Sequence, residues 1–337
     1  MRLTIQELAR RCGVSVATVS RALNPLTQSL LKSETLNKVK EMAKELGYRP
    51  QRMAKALRKG RTETLGLLMN FRTDTISGYV GEIMKGVLRG LQEIKYDLKL
   101  ISREEFSSLS ILLDYEGIDG IIITHAFKDT FPNLEKEIAE NRGKILPLVV
   151  INDYQENLKI NQLYVNSYKA SKKLLKYLLD KGYKNFYLIG GEKNSPDAEA
   201  RKKAFLDYFK KKIGVFSEER IFNGHFSEEG GYQCARIILQ KETPFPGVFY
   251  CLNDAMAIGA LRAIGEFGLN CPRDIKVVGF DGIPQGEFTN PPLTTLKFPL
   301  AEMGYLAVKV IYDILQGKVK RYISKEFSAE LLIRGSG

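Results

Sequence analysis

The 337-residue chain has no tryptophan, two histidines and four cysteines, and it lacks any long apolar run. The histidines and cysteines are scattered without the spacing of a metal or redox site: His125, His225, Cys12, Cys234, Cys251 and Cys271. We therefore expect isolated thiols, no metal and no cofactor. Because no apolar stretch of about 18 residues and no signal-peptide pattern occurs, we expect a cytoplasmic protein that does not enter a membrane.

Positive charge is concentrated at one end of the chain. Residues 1–62 hold fourteen Lys and Arg against four Glu, which is +10 of the total net charge of +12. A basic head on a nearly neutral body is typical of a nucleic-acid-binding module joined to another domain. The alternative, a solvated basic tail, would lack the helical periodicity and capping residues that this segment has.

Residues 4–23 carry start and stop signals for two short helices. Thr4 and Glu7 form a capping-box pattern, in which the hydroxyl caps the Glu7 amide and the carboxylate reaches back. Gly13 allows the left-handed backbone that ends a helix, and Ser15 can cap the next one. The pattern predicts two helices joined by a tight turn.

The second of these helices has two different faces. Val19 and Leu23 form its apolar face, and the opposite face carries Val16, Ala17, Thr18 and Arg21. Short side chains and one cation can lie close to base edges and phosphates. We predict a helix-turn-helix whose second helix reads DNA.

The head resembles that of the LacI/GalR family of bacterial transcription regulators. The matching residues are Leu8-Ala9, Gly13-Val14-Ser15, Thr18-Val19-Ser20-Arg21 and Asn24. A third helix is predicted over 33–46, where Leu31-Lys32-Ser33 departs from the family's usual Val-Ser start and weakens the cap. The resemblance implies DNA contacts from the head at Thr4, Ser15, Val16, Ala17, Thr18, Ser20, Arg21 and Asn24.

Residues 51–57 look like the family's hinge helix. By resemblance, two such helices pair in a dimer and insert Leu57 into the minor groove, which kinks the DNA, while Arg52 and Lys55 contact it. A hinge of about eight residues is too short to be stable alone, so its folding must be coupled to DNA binding or dimer packing. A plain charged linker is the alternative.

From residue 64 onward, short apolar runs alternate with amphipathic helical patterns, which indicates parallel α/β layers. The pattern predicts one series of strands at 65–69, 118–124 and 148–151, and a second series that begins near Asn161. We therefore predict an α/β protein with an N-terminal helix-turn-helix head and a bilobed, doubly wound body. Such a body is like that of periplasmic sugar-binding proteins, with ligand between the lobes at the carboxyl strand ends.

The resemblance continues through the body. It is carried by Asn253-Asp254-Ala255-Met256-Ala257-Ile258-Gly259-Ala260, Val278-Gly279-Phe280-Asp281 and Pro291-Pro292-Leu293-Thr294-Thr295. It implies an effector site with Arg201, Asn253 and Asp281 as polar anchors and Phe226 as an aromatic wall. Further effector contacts are expected from Phe71, Tyr79, Asn152 and Phe298.

These side chains suit a polyol, because carboxylates accept from hydroxyls and guanidinium groups donate to them. A sugar is the favoured effector, and the residues also fit nucleosides. Two simpler roles stay open at this stage: Asp281 caps a turn before Gly282, and Arg201 forms a surface ion pair.

Enzyme motifs are missing from the sequence. There is no Walker loop, no dinucleotide-binding glycine pattern and no nucleophile elbow, and Gly190-Gly191 alone is a weak phosphate signal that usually marks a turn. A cytosolic solute-binding body, or an α/β enzyme-like body on a DNA-binding head, remains the alternative. We predict that the protein is not an enzyme.

The sequence thus predicts three segments: a DNA-binding head over 1–50, a hinge helix and linker over 51–63, and a two-lobed effector-binding and dimerisation domain over 64–337. The expected partners are near-palindromic double-stranded operator DNA, a small effector and a second copy of the chain. The effector would control operator affinity, so the function expected is that of an allosteric repressor.

Overall fold

The computed structural model describes residues 3–23, 27–48, 60–69, 78–102, 117–124, 146–152, 154, 156, 159–192, 195–241, 247–319 and 321–337. The chain divides into two compact units, Met1–Glu63 and Thr64–Gly337. Each unit has a hydrophobic core of its own.

The first unit contains α1 (Ile5–Cys12), α2 (Val16–Ala22) and α3 (Ser33–Glu45). Its core is made of small and medium apolar side chains from all three helices, namely Leu8, Ala9, Cys12, Val19, Ala22, Val39 and Ala43. Helices of this length are marginal alone, so their shared core is what stabilises them. The predicted helix-turn-helix is confirmed.

The capping predictions for the head are confirmed with one correction. The Thr4 hydroxyl accepts from the Glu7 amide at 3.2 Å, and Ser15 Oγ accepts from the Thr18 amide at 3.1 Å. Gly13 ends α1 with φ of 64°. The Glu7 carboxylate, however, binds Arg10 and Arg11 rather than reaching back to the start of the helix, because both guanidinium groups lie one turn ahead.

The cap of α3 is weak, as the sequence predicted. Lys32 occupies the N-cap position and its side chain makes no capping hydrogen bond. Glu34 in the first turn supplies only a favourable charge at the positive end of the helix.

The second unit contains two six-stranded sheets. The first sheet has the order β11-β5-β4-β3-β1-β2 and is parallel throughout. Its strands are β1 (Thr64–Met69), β2 (Asp97–Ser102), β3 (Gly120–Ile123), β4 (Leu148–Ile151), β5 (Asn161–Val165) and β11 (Ser324–Phe327). The helices α4 (Tyr79–Ile94) and α9 (Leu300–Leu315) pack together in this lobe.

The second sheet repeats that order as β12-β10-β9-β8-β6-β7, and only β12 is antiparallel. Its strands are β6 (Phe186–Gly190), β7 (Ile221–Asn223), β8 (Gly247–Cys251), β9 (Ile275–Asp281), β10 (Thr294–Lys297) and β12 (Glu330–Leu332). Its helices are α5 (Ser167–Asp180), α6 (Pro196–Lys212), α7 (Glu228–Lys241) and α8 (Asp254–Glu266). Each sheet has the doubly wound order, with a switch point between β1 and β3 in the first sheet and between β6 and β8 in the second.

The chain crosses between the lobes three times: after β5, after β10 and between β11 and β12. The sequence placed the start of the second lobe near Asn161, and this is wrong. Strand β5 pairs with β4 in the first sheet, and the second lobe starts with α5. A buried strand looks the same in sequence whichever sheet it joins, so only the pairing shows the boundary.

Glycines allow the helices of each lobe to approach closely. A side chain on Gly86 of α4 would begin 1.8 Å from the Ala301 carbonyl oxygen, and one on Gly304 of α9 would begin 2.1 Å from that of Ile83. In the other lobe, a side chain on Gly259 of α8 would begin 1.9 Å from the Glu228 carbonyl oxygen. Backbone thus packs against backbone in both helix pairs.

Candidate functional site

Helix α2 presents the predicted DNA-reading surface. Ser15, Val16, Ala17 and Arg21 are exposed, and Thr18 and Ser20 are half-buried. The Val16 side chain is 38% exposed, and contact of its apolar surface with water does not stabilise the folded head. The structure therefore leaves one face of α2 available, with Arg21 as its cation.

Two of the predicted DNA-contacting hydroxyls also have a structural role. Thr4 caps α1 and Ser15 caps α2, and Ser15 Oγ lies 2.9 Å from Thr18 Oγ1. These bonds fix the amide-rich amino ends of both helices, where backbone N–H groups favour anions. Four other predicted DNA contacts lie outside the described residues: Asn24, Arg52, Lys55 and Leu57.

In the first lobe, two predicted effector residues are in contact. Asn152 follows β4 with φ of 59°, and its amide nitrogen donates to the Tyr79 hydroxyl at 2.6 Å. The Asn152 side-chain oxygen accepts from the Val165 amide at 3.1 Å. Asn152 therefore holds Tyr79, at the start of α4, beside the ends of β4 and β5. Phe71 lies outside the described residues.

In the second lobe, Arg201 of α6 is 3% exposed, so it does not form a surface ion pair. Its Nη1 donates to the Leu252 carbonyl at 2.6 Å, and its Nη2 lies 3.3 Å from Asp281 Oδ1 and 3.5 Å from Asp197 Oδ2. Two carboxylates therefore offset a buried guanidinium group, which would otherwise be costly to bury.

Aromatic rings enclose the same guanidinium group. Its carbon lies 5.1 Å from the centre of the Phe280 ring and 5.2 Å from that of Phe298. Cation–π attraction at this distance adds to the ion pairs and fixes the plane of the group. Phe298 is thus a buried neighbour of Arg201, and its amide donates to the Asp281 carbonyl at 3.0 Å.

Asp281 ends β9 in a conformation that side chains rarely adopt, with φ of 100°. It is 4% exposed and pairs with Arg201. Its position at the carboxyl end of β9, next to the switch point at β6 and β8, is where doubly wound sheets bind ligands. The next residue, Gly282, is also left-handed, with φ of 71°.

Phe226 lies across Gly191, at the carboxyl end of β6. A side chain on Gly191 would begin 2.1 Å from the Phe226 ring. Asn253 Nδ2 donates to the Phe226 carbonyl at 2.9 Å, and Asn253 Oδ1 caps α8 through the Met256 amide. The Gly190-Gly191 pair thus accommodates an aromatic ring, which gives the glycine a role that the sequence did not suggest.

Sequence reasoning missed Asp254, which is fully buried at the start of α8. Its Oδ2 accepts from the Ile283 amide at 2.8 Å, and its Oδ1 accepts from the Thr295 hydroxyl at 2.5 Å. Burial, followed by the charge of Asp281, raises the pKa of Asp254 well above its ordinary value. The available signal was the acidic residue beside Asn253 in the matching string, at the first turn of a helix.

The described residues contain no group of three or more His, Cys, Asp or Glu that could hold a metal ion. Among these residues, no helix combines the length and hydropathy needed to span a bilayer.

Comparisons with known proteins agree with this architecture. Residues 4–51 match the family described as bacterial regulatory proteins, lacI family, and residues 175–337 match a periplasmic binding protein-like domain. The HTH-type transcriptional repressor PurR of Pasteurella multocida (strain Pm70) is 30% identical over 99% of this chain and 98% of its own length. The repressor CytR of Escherichia coli (strain K12) is 27% identical over 99% of this chain and 96% of its own length.

The crystal structure of the lac repressor dimer bound to operator and the anti-inducer ONPF has the same fold. The match covers 100% of this chain and 99% of the lac repressor chain, with a TM-score of 0.79 and 22% sequence identity. A helix-turn-helix unit followed by a two-lobed α/β body defines a DNA-binding regulator of the periplasmic-binding-protein type. The chain belongs to the LacI family of bacterial regulatory proteins, and it is a transcriptional regulator.

Proposed function

We propose that the protein is a homodimeric repressor whose operator affinity is controlled by a small polyhydroxylated effector, with a sugar favoured. The observation that carries the effector site is the Arg201–Asp281 pair at the switch point of the second sheet, 3.3 Å apart and buried. Tyr79 and Asn152 at the strand ends of the first lobe are the proposed contacts from the other side.

The polarity of the proposed site favours a ligand with several hydroxyl groups. The Asp281 carboxylate accepts hydrogen bonds, and the Phe226 ring offers an apolar face to a sugar ring. The Phe226 ring packs against Gly191, and Asn253 donates a hydrogen bond to the backbone carbonyl of Phe226. Polar anchors with one aromatic wall are typical of small-ligand sites.

Dimerisation is proposed because one helix-turn-helix offers a small DNA interface, and two reading helices can occupy successive major grooves of a near-palindrome. Two exposed apolar side chains in the first lobe support a contact between copies. Leu88 of α4 is 49% exposed, and Leu100 is 39% exposed on β2, which is an edge strand. Residues 51–63 are the proposed hinge, with Leu57 as the wedge and Arg52 and Lys55 as phosphate contacts.

Operator binding is tested on the full chain. In vitro selection yields the preferred duplex, and anisotropy titration with light scattering gives the affinity and the mass of the bound species. We expect a dimer on a near-palindromic site. A monomer that binds its selected site tightly contradicts the proposal. The regulator is proposed to act in the cytoplasm, because bacterial operator DNA is there.

The effector site is tested by thermal shift and then calorimetry with D-glucose, D-ribose, cellobiose, cytidine and hypoxanthine. A ligand that binds only the folded state raises the melting temperature. We expect Asp281→Ala to abolish the response to the binding compound and to leave operator affinity without it unchanged. Asp274→Ala, which removes a half-buried carboxylate directly before the other end of β9, is the matched control. Binding of hypoxanthine alone would exclude the polyol class.

Control of operator affinity follows if the effector prefers one of two body conformations. An effector shifts such an equilibrium only by its difference in affinity for the two states, typically about 1–3 kcal/mol. Weaker operator binding with the effector is the favoured outcome, which is induction. Tighter binding would mark the compound as a co-repressor.

A further inference from the structure

We propose that Asp254 is a positioning residue for the effector response: it holds Asp281 and the segment 282–283 in place and connects them to the start of α4 in the first lobe. The proposal rests on the proposed effector site. Asp254 is not itself expected to touch the effector, because it is fully buried.

The carboxylate of Asp254 joins three elements of the second lobe. It lies at the start of α8, accepts from the backbone amides of Gly282 and Ile283, and accepts from the Thr295 hydroxyl on β10. The two amides belong to the residues that directly follow Asp281. A single buried group therefore fixes the backbone on the carboxyl side of the proposed ligand carboxylate.

The residues around Asp254 leave space for its carboxylate and little space for the segment 282–283 to move. A side chain on Gly279 of β9 would begin 2.2 Å from Asp254 Oδ1, so only glycine allows the carboxylate to reach its position. On the other side, a side chain on Gly282 would begin 2.5 Å from the Cα atom of Lys297. The segment is enclosed between Asp254 and β10.

This enclosure explains how Asp281 keeps a left-handed backbone with φ of 100°. Side chains other than glycine disfavour that region, and such residues persist only where the surroundings determine them. The amide bonds to Asp254 come immediately after Asp281 in the chain. Without them, we expect Asp281 to relax and to turn its carboxylate from Arg201.

The same segment touches the first lobe. Ile283 is 4% exposed, and its Cδ1 lies 3.4 Å from the point where a side chain on Gly78 would begin. Gly78 directly precedes Tyr79, which begins α4 and accepts from Asn152. Asp254 is thus linked to Tyr79 by two contacts, through Ile283 and Gly78, and to Asp281 through the segment 282–283, which is a continuous physical route for coupling.

Backbone amide exchange of the full-length protein tests the positioning role without any ligand. We expect Asp254→Ala to speed exchange in residues 282–288, and Asp254→Asn to retain protection. An asparagine can still accept from the amides and can donate to Thr295. Ser336→Ala is the matched control, because Ser336 is also fully buried and bridges β9 and β10 through Val277 and Thr294, away from the segment after β9. It should lower the melting temperature without affecting 282–288.

Calorimetry with D-glucose, D-ribose, cellobiose, cytidine and hypoxanthine tests the consequence for binding. For the compounds that bind the parent, we expect Asp254→Ala to weaken affinity about tenfold or more, and Asp254→Asn and Ser336→Ala to change it by less than about threefold. If Asp254→Ala does not fold, Thr295→Val replaces it, since that change removes one donor to Asp254 at nearly constant volume.

The two experiments separate the possible failures. If 282–288 stays protected in Asp254→Ala, or if Ser336→Ala loses the same protection and affinity, Asp254 has no special positioning role and the proposal is overturned. If none of the five compounds binds the parent, the proposed effector class fails, and amide exchange alone decides the role of Asp254.

Discussion

Two consecutive residues at the proposed aromatic wall have left-handed backbones. His225 has φ of 52° and Phe226 has φ of 57°. Each such residue costs about 1 kcal/mol or more unless its surroundings stabilise it. Here the Asn223 side chain accepts from the His225 amide, and Asn253 donates to the Phe226 carbonyl. Local strain held by specific side chains is frequent at ligand sites, and it supports the assignment of Phe226.

Replacing Gly191 with alanine should displace the Phe226 ring. The new methyl group would begin within 2.6 Å of three ring atoms, so the ring must move. We expect effector affinity to fall about tenfold, since an aromatic contact contributes about 0.5–1.5 kcal/mol beyond its buried area. Calorimetry with the compound found in the effector screen measures this change.

Gly265→Ala is the control for that substitution. Gly265 lies in α8 with nothing within 4 Å of its added side chain, so alanine should stabilise the helix by about 0.5–1 kcal/mol and leave effector affinity unchanged. Equal affinity losses in the two variants would show that Phe226 is not the wall of the site.

The carboxyl group of Glu7 should titrate far below the usual range of a glutamate. Hydrogen bonds from Arg10 and then from Arg11 lower the pKa of Glu7 from 4.5 to about 2. Because the pKa of Glu7 is lower in the folded state, the ionised Glu7 carboxylate with its two arginines stabilises α1 above pH 4.5. This contribution is lost as the pH falls through about 2. Carboxyl NMR titration should give a midpoint near 2. A midpoint near 4.5 would mean that the arginines are engaged elsewhere.

At the scale of elements, the amino end of α2 depends on one hydroxyl. Ser15→Ala removes the bond to the Thr18 amide and should destabilise α2 by about 1 kcal/mol. Faster amide exchange in α2 and weaker operator binding should follow. Ser33→Ala is the control, because Ser33 is the first residue of α3 and the N-cap there is Lys32. If the two variants behave alike, the Ser15 cap contributes nothing.

Helix positions were predictable where periodicity and capping residues coincide. The two helices predicted within residues 4–23 are α1 and α2, and the helix predicted over 33–46 is α3 at Ser33–Glu45, because their apolar faces recur at helical spacing. The assignment of strands to sheets was less predictable. Strands β11 and β12 are separated by only two residues in sequence. Nevertheless, β11 pairs with β5 in the first sheet and β12 pairs with β10 in the second.

The candidate site was also predictable only in part. The resemblance to the LacI/GalR family implied Arg201, Asp281 and Asn152 as effector residues, and the matching strings around Asn253 and Asp281 carried that resemblance. Sequence could not show that Arg201 is buried between two rings, or that Asp254 binds the segment after Asp281. Both facts depend on contacts between elements that are distant in the chain.

At the scale of the whole molecule, the first lobe depends on a helix from the end of the chain. Gly304→Ala would place a methyl group 2.1 Å from the Ile83 carbonyl oxygen and force α9 away from α4. Overpacking of this kind costs about 1–3 kcal/mol, so the melting temperature of the body should fall by several degrees. Calorimetric melting of the full chain measures it. Glu302→Ala, an exposed change in the same helix, should leave the melting temperature unaltered.

The three crossings between the lobes also affect how the protein is made on the ribosome. The first sheet is not complete until Ser324–Phe327 has been synthesised, and the second sheet waits for Glu330–Leu332. The helix-turn-helix unit, in contrast, needs only residues from Met1–Glu63. During translation the DNA-reading unit can therefore fold long before either lobe can close its sheet. A nascent or prematurely terminated chain would carry a DNA-reading unit without a body able to respond to an effector.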